Sequence, residues 1–193
     1  MAICYLDENN SELFHDGTTP AKLDGSMGQW MTDLPEFSYS CTEGESDWVK
    51  LHISKELNLA NKSRRVLVGV TEAVNRNGKL WSCKHSLGAT DSIQSTGNLT
   101  AITFHNYANA LGEGFDIVDY ETHCKVAYMF MTKYKSKDPQ GMNQFGWGFS
   151  SSNDVIGTTS TLGNNDGHTD DWVSIFGIEG WYGGKREFMG GIH

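Results

Sequence analysis

Phe176-Gly177-Ile178-Glu179-Gly180-Trp181-Tyr182-Gly183-Gly184-Lys185-Arg186-Glu187-Phe188-Met189-Gly190-Gly191-Ile192 joins apolar anchors to closely spaced glycines. Glycine reaches positive φ without steric cost, so a chain written this way bends sharply, presses an aromatic ring inward and leaves again as a strand. Trp181 and Tyr182, held between Gly180 and Gly183-Gly184, mark the corner. Immediately upstream, Val173 to Ile178 alternates in the manner of a half-buried strand, and Thr158 to Gly167 is polar and rich in turn formers.

Several pieces carry a family resemblance. Thr159 to Gly167 reads as a T-x-x-LGN-x-x-G loop, Gly177 to Gly183 as a GIE-x-x-(W/Y)G strand and turn, and Arg186 to Ile192 as a variant of WE(W/F)-x-DGI. Near the other end, Ala21 to Tyr39 is similar to LDGS-x-G-x-VMV-x-(I/L)P-x-(F/Y)-x-Y. In these motifs the sequence resembles the C-type-lectin-like domain of the formylglycine-generating-enzyme (sulfatase-modifying factor) superfamily, in the form found in tail and fibre proteins of phages of gut bacteria and in related variable adhesins. Arg186 stands where an aromatic is common and Gly190 where an aspartate is common. The resemblance spans nearly the whole chain. It implies an α+β, C-type-lectin-like fold with short antiparallel strands, two helices and long loops, in which Gly177, Glu179, Trp181, Gly183 and Glu187 are structural.

Size agrees with one domain over residues 1–193, since 193 residues suffice for a single substantial core. Residues 1–47 read as initial hairpins, 48–135 as strands and two helices, and 136–193 as a loop-rich part. With 22 glycines against 3 prolines, many tight turns are expected. Net charge is −9 with a pI near 5.1, which disfavours a nucleic-acid groove, because phosphate binding draws its affinity from basic side chains. The small basic run Lys133, Lys135, Lys137 reads as a solvated helix end. No apolar run approaches the roughly 20 residues that cross a bilayer, and Met1 to Leu6 lacks the pattern of a secretion signal, so the chain reads as soluble; if it reaches the outside of a cell, it does so as part of an assembled particle or as a fragment of a longer precursor.

Cys4, Cys41, Cys83 and Cys124 show no C-x-x-C spacing. An even count leaves two disulfides open, and free, mostly buried thiols are the favoured reading. Trp48 to Ser54 alternates, with Val49, Leu51 and Ile53 on one side and Lys50, His52 and Ser54 on the other. Val66 to Val74 reads as a second strand, and Asn77-Gly78 turns the chain into Lys79 to Cys83. Ser86 to Leu99 reads as a surface loop. Thr100 caps a helix over Ala101 to Leu111, with Ile102, His105, Tyr107 and Leu111 in one arc and Gly112 as its stop. Asp119 caps a second helix from Tyr120 to about Lys135, whose inward stripe is Cys124, Ala127, Tyr128, Met131 and Tyr134.

The chemistry of known superfamily enzymes finds little here. A cysteine pair late in the chain is missing, since no cysteine follows Cys124, and the seven histidines show no facial-triad spacing. There is no G-x-S-x-G elbow. Glu179 reads as a buried carboxylate satisfied by hydrogen bonds. Asn164, Asn165, Asp166, Asp170 and Asp171 offer hard oxygen ligands, but the spacing of a calcium loop is absent, so no cofactor is expected and calcium stays the lesser alternative to a plain polar loop. The segments Gly141 to Ser152 and Asn164 to Trp172 mix aromatics with asparagine, serine and aspartate, as recognition surfaces do. Trp147, Asn164, Asn165, Asp166, His168, Asp170 and Trp172 are the candidate ligand-binding residues. Phe145 and Phe149 read as core.

The expectation is a non-catalytic phage virion structural protein, a tail- or head-fibre or tip component made in the host cytoplasm, that binds a host-surface glycan or protein. Other virion proteins are expected partners. Family habit implies a homotrimer or higher multimer, which multiplies weak sites into avidity. The alternatives are an architectural virion protein, such as a capsid decoration or connector, and a divergent enzyme of the superfamily.

Overall fold

The computed structural model describes residues 2–5, 13–22, 24–44, 49–83, 85–86, 99–139, 155–156, 167–168, 173–182 and 189–190. Within them the architecture is mixed α+β, with small, mainly antiparallel sheets and two helices.

The central sheet is built on β2 (Gln29–Leu34), where Trp30, Thr32 and Leu34 point inward while Met31 and Asp33 lie nearer solvent, the two-residue period of a strand with one covered face. β1 (Ile3–Cys4) runs parallel along one edge, and β6 (Val66–Gly69) pairs antiparallel along the other, setting Met31 opposite Gly69 and Leu34 opposite Val66. The stretch Val66 to Val74 is two strands rather than the single one expected from its β-branched residues. It breaks after Gly69: Val70 N still donates to Trp30 O of β2 at 3.0 Å, but the Val70 carbonyl accepts from Glu179 N at 2.7 Å and Thr71 N donates to Ser82 Oγ at 3.2 Å. β7 (Ala73–Arg76) then returns through Asn77-Gly78 as β8 (Lys79–Ser82). Asn77 at φ 53 and Gly78 at φ 74 are the paired left-handed residues of a primed hairpin turn, and Asn75 Oδ1 accepts from Gly78 N at 2.9 Å.

A separate sheet sets β3 (Phe37–Glu43) between β4 (Val49–Ser54) and β5 (Asn61–Ser63). Leu51 and Ile53 of β4 are half-buried while Lys50 and His52 are exposed, as the alternation indicates. β9 (His85–Ser86) pairs with β10 (Val155–Ile156), and β11 (Gly167–His168), β12 (Val173–Ile175) and β13 (Ile178–Glu179) form a short antiparallel ladder.

Helix α1 spans Ala101–Asn109, with Thr100 Oγ1 accepting from Thr103 N at 3.2 Å. Its inward arc differs from the expected one: Ala108 is its buried residue, Phe104 and Tyr107 are half-buried, and Ile102, at 72% exposure, faces solvent with His105. Helix α2 spans Tyr120–Tyr134, capped by Asp119 Oδ1 on Thr122 N at 2.7 Å and stopped where Lys135 turns left-handed at φ 57. Its deepest positions are Thr122, Lys125, Val126 and Phe130. The expected stripe lies beside this face, half-buried, with Tyr128 packed on Tyr39 at 4.8 Å between ring centres. Polar residues hold two of the four deepest sites, which is why hydrophobic periodicity misplaces the face.

The main core gathers Leu34, Val68, Val126, Phe130, Ile175, Ile178 and Trp181, and a smaller one gathers Cys4, Trp30 and Val70. All four cysteines are free; Cys4 and Cys83 are buried, Cys124 is half-buried and Cys41 is exposed. Gly190 bonds to both sides of the α2 start, its carbonyl accepting from Tyr120 N at 3.1 Å and its N–H donating to Val118 O at 2.9 Å.

Candidate functional site

The corner at 176–182 is assembled by backbone conformation first. Ile175 and Ile178 close a hairpin whose two central residues, Phe176 at φ 50 and Gly177 at φ 75, both lie in the left-handed region. A bulky residue rarely sits there. Phe176 is held by three contacts: its carbonyl accepts from Thr32 Oγ1 at 3.0 Å, its ring packs on the main core, and Lys133 Nζ lies 5.4 Å from the ring centre. Gly180 at φ 71 makes the second bend and delivers Trp181 inward, where the indole stacks on His123 at 5.8 Å.

Glu179 is 1% exposed. Its N–H bonds to Val70 O, so β13 is stitched to the segment that follows the central sheet. The buried Trp181 Nε1 has no acceptor in bonding geometry, although it approaches the Tyr182 hydroxyl closely enough to influence it. Burial pushes the Tyr182 phenol up to about 12, against the smaller opposing pull of that N–H.

Of the expected ligand-binding residues, the backbone of His168 is placed: it pairs with Val173 while Gly167 pairs with Ser174, so residues 169–172 connect two paired strands. Trp147, Asn164, Asn165, Asp166, Asp170 and Trp172 lie outside the described residues, as do Gly183, Glu187, Phe145 and Phe149. Gly177, Glu179 and Trp181 are all buried in the corner just described.

Two features escaped the sequence reading. The first is Lys125, 1% exposed, whose Nζ donates to Pro35 O at 2.6 Å, Arg64 O at 3.0 Å and Ser63 Oγ at 3.2 Å. Each ammonium proton thus finds an oxygen, and the Phe37 ring centre lies 4.3 Å away. Burial nevertheless pushes its pKa down from 10.5 to about 8, against the raising pull of Glu121, Asp33 and Glu36. This lysine is a cross-brace between two turns. Nothing in the helix sequence marks it apart from a cation beside Val126.

The second is a cleft of about 250 Å³ between α1, the central sheet and the 176–182 corner. Its walls are mainly apolar, with Met31, Val68 and Leu80 from strands, Phe104 from α1, Phe115 from the link between the helices, and Trp181. The signal for it is distributed over six strands and helices and the link between the helices, so no local motif announces it.

Comparison with protein-family models, with curated proteins and with solved structures finds no match. Among the described residues, no three His, Cys, Asp or Glu side chains converge as a metal site would require, and no helix is long and apolar enough to cross a membrane.

Proposed function

We propose that this chain is a non-catalytic virion structural protein, a tail- or head-fibre component whose C-type-lectin-like domain grips a host-surface glycan or protein. The observation that carries the reading is how deeply the GIE-x-x-(W/Y)G residues are buried: Glu179 is 1% and Trp181 7% exposed, and Trp181 belongs to the main core. The motif therefore acts as scaffold. The buried Ser174, paired with Glu179, ties the β13–β12–β11 ladder to the core. Recognition without chemistry fits a scaffold of this kind, and homotrimers or higher multimers would turn weak contacts into firm adhesion.

The test is a Trp147→Ala/Trp172→Ala double variant of the full chain, with its fold checked by circular dichroism. The expected outcome is loss of binding to host cells with the melting temperature kept. A folded variant that adheres as well as the parent overturns the loop assignment. Parent protein that ignores host cells but binds virion components selects an architectural role.

A further inference from the structure

The cleft beneath α1 shares no residue with the segments assigned to host recognition, and three observations bear on its use. First, α1 packs against β8 yet leaves a space beside it: Ala108 is the helix's one buried residue, and Phe104 and Leu111 line that space. Second, several polar groups in the wall are already engaged, although Trp181 Nε1 has no acceptor. Gln29 Nε2 donates to Leu80 O at 3.2 Å, Gln29 Oε1 accepts from Ser82 N at 2.7 Å, and Thr71 Oγ1 donates to Cys83 O at 3.3 Å. Water in such a space finds few partners, so an apolar guest displaces it at little loss. Third, the charged residues of the lining are Glu72, Asp116 and Glu179, with no basic side chain among the described lining residues. That disfavours an anion. Asp116 is also engaged within the protein, its Oδ1 lying 2.6 Å from His105 Nδ1 and accepting from Ile117 N at 2.7 Å, and neither Glu72 nor Glu179 is without a partner.

We infer that this cleft binds a small, uncharged aromatic molecule. Phe104, Phe115 and Trp181 approach from three different parts of the chain and offer a guest ring edge-to-face and offset contacts. The volume, about 250 Å³, lies just below the ~300–1,000 Å³ typical of drug-sized pockets, which suits one ring or two fused rings. Binding there is independent of the proposed adhesion.

The experiment titrates the full chain with indole, benzyl alcohol and benzoate by calorimetry and ligand-observed NMR, beside Ala108→Leu, which fills the cleft from α1. Indole is expected to bind saturably at one site, and benzoate at least about tenfold more weakly. Folded Ala108→Leu is expected to lose about tenfold or more in indole affinity. If that variant fails to fold, Ala73→Val on the opposite wall replaces it with the same expectation. No saturable indole binding below about 10 mM, equal affinity in a folded filled variant, or benzoate binding as tightly as indole each overturns the inference. A filled variant that melts higher while the parent binds none of the three compounds marks a plain packing void, and also overturns it.

Discussion

The Lys125 ammonium lies 4.3 Å from the centre of the Phe37 ring and donates to oxygens of Pro35, Ser63 and Arg64. One side chain of α2 thereby holds the β2–β3 turn and the β5–β6 turn in register. Lys125→Met keeps most of the apolar stem but leaves two carbonyls and a hydroxyl without their donor. The expected cost is about 2–4 kcal/mol, read as a clear drop in the urea midpoint at neutral pH. An unchanged midpoint would show that the brace is dispensable.

The same residue sets a pH dependence. Its folded pKa, about 8, lies below the ordinary 10.5, so between those values the unfolded chain binds more protons than the folded one. Stability attributable to Lys125 is therefore lowest below pH 8 and rises as pH climbs toward 10.5. Urea unfolding at pH 7, 9 and 10.5, taken as the difference between parent and Lys125→Met, should trace that rise.

Gly28 and Gly78 both have positive φ, at 131 and 74, yet they should answer differently to alanine. A Cβ on Gly78 meets the Tyr107 ring at an ordinary 3.6 Å, so Gly78→Ala carries mainly the backbone penalty of about 1–2 kcal/mol. A Cβ on Gly28 collides with the Ala2 carbonyl oxygen, which accepts from Gln29 N at 2.9 Å at the start of the β1–β2 pair. Gly28→Ala should cost clearly more and release β1, seen as a larger fall in melting temperature with faster amide exchange at residues 3–4.

Asp119 caps α2 and pairs with Arg64 Nη2 at 2.6 Å. Burial pushes its carboxyl up, but the Thr122 bonds and Arg64 outweigh it and hold the pKa below the usual 3.8. The stability it adds is present above pH 4 and is lost as pH falls through the folded value. Asp119→Ala should cost about 1–2 kcal/mol at pH 7, and that difference should shrink in acid.

What could be read from the sequence was local. Thr100 and Asp119 are helix caps, Asn77-Gly78 is a hairpin turn, and the β4 alternation holds at Lys50 to Ile53, because each is set by neighbours along the chain. The faces of the helices were not legible, since a buried Lys125 and a solvent-facing Ile102 reverse the usual sorting by polarity, and only distant partners decide each case. The break at Val70 was hidden for the same reason: the partner that its carbonyl takes is Glu179, far along the chain. The cleft needs every wall in place before it exists.

The hydroxyl of Thr32 reaches the carbonyl of Phe176 across 144 residues of sequence. During synthesis at ~5–20 residues per second, the central strands therefore emerge on the order of ten seconds before the hairpin that covers them. For that interval Leu34 and Val68 lack Ile175, Ile178 and Trp181 as neighbours. Until that hairpin has been made, the nascent chain carries an uncovered apolar face on its central strands.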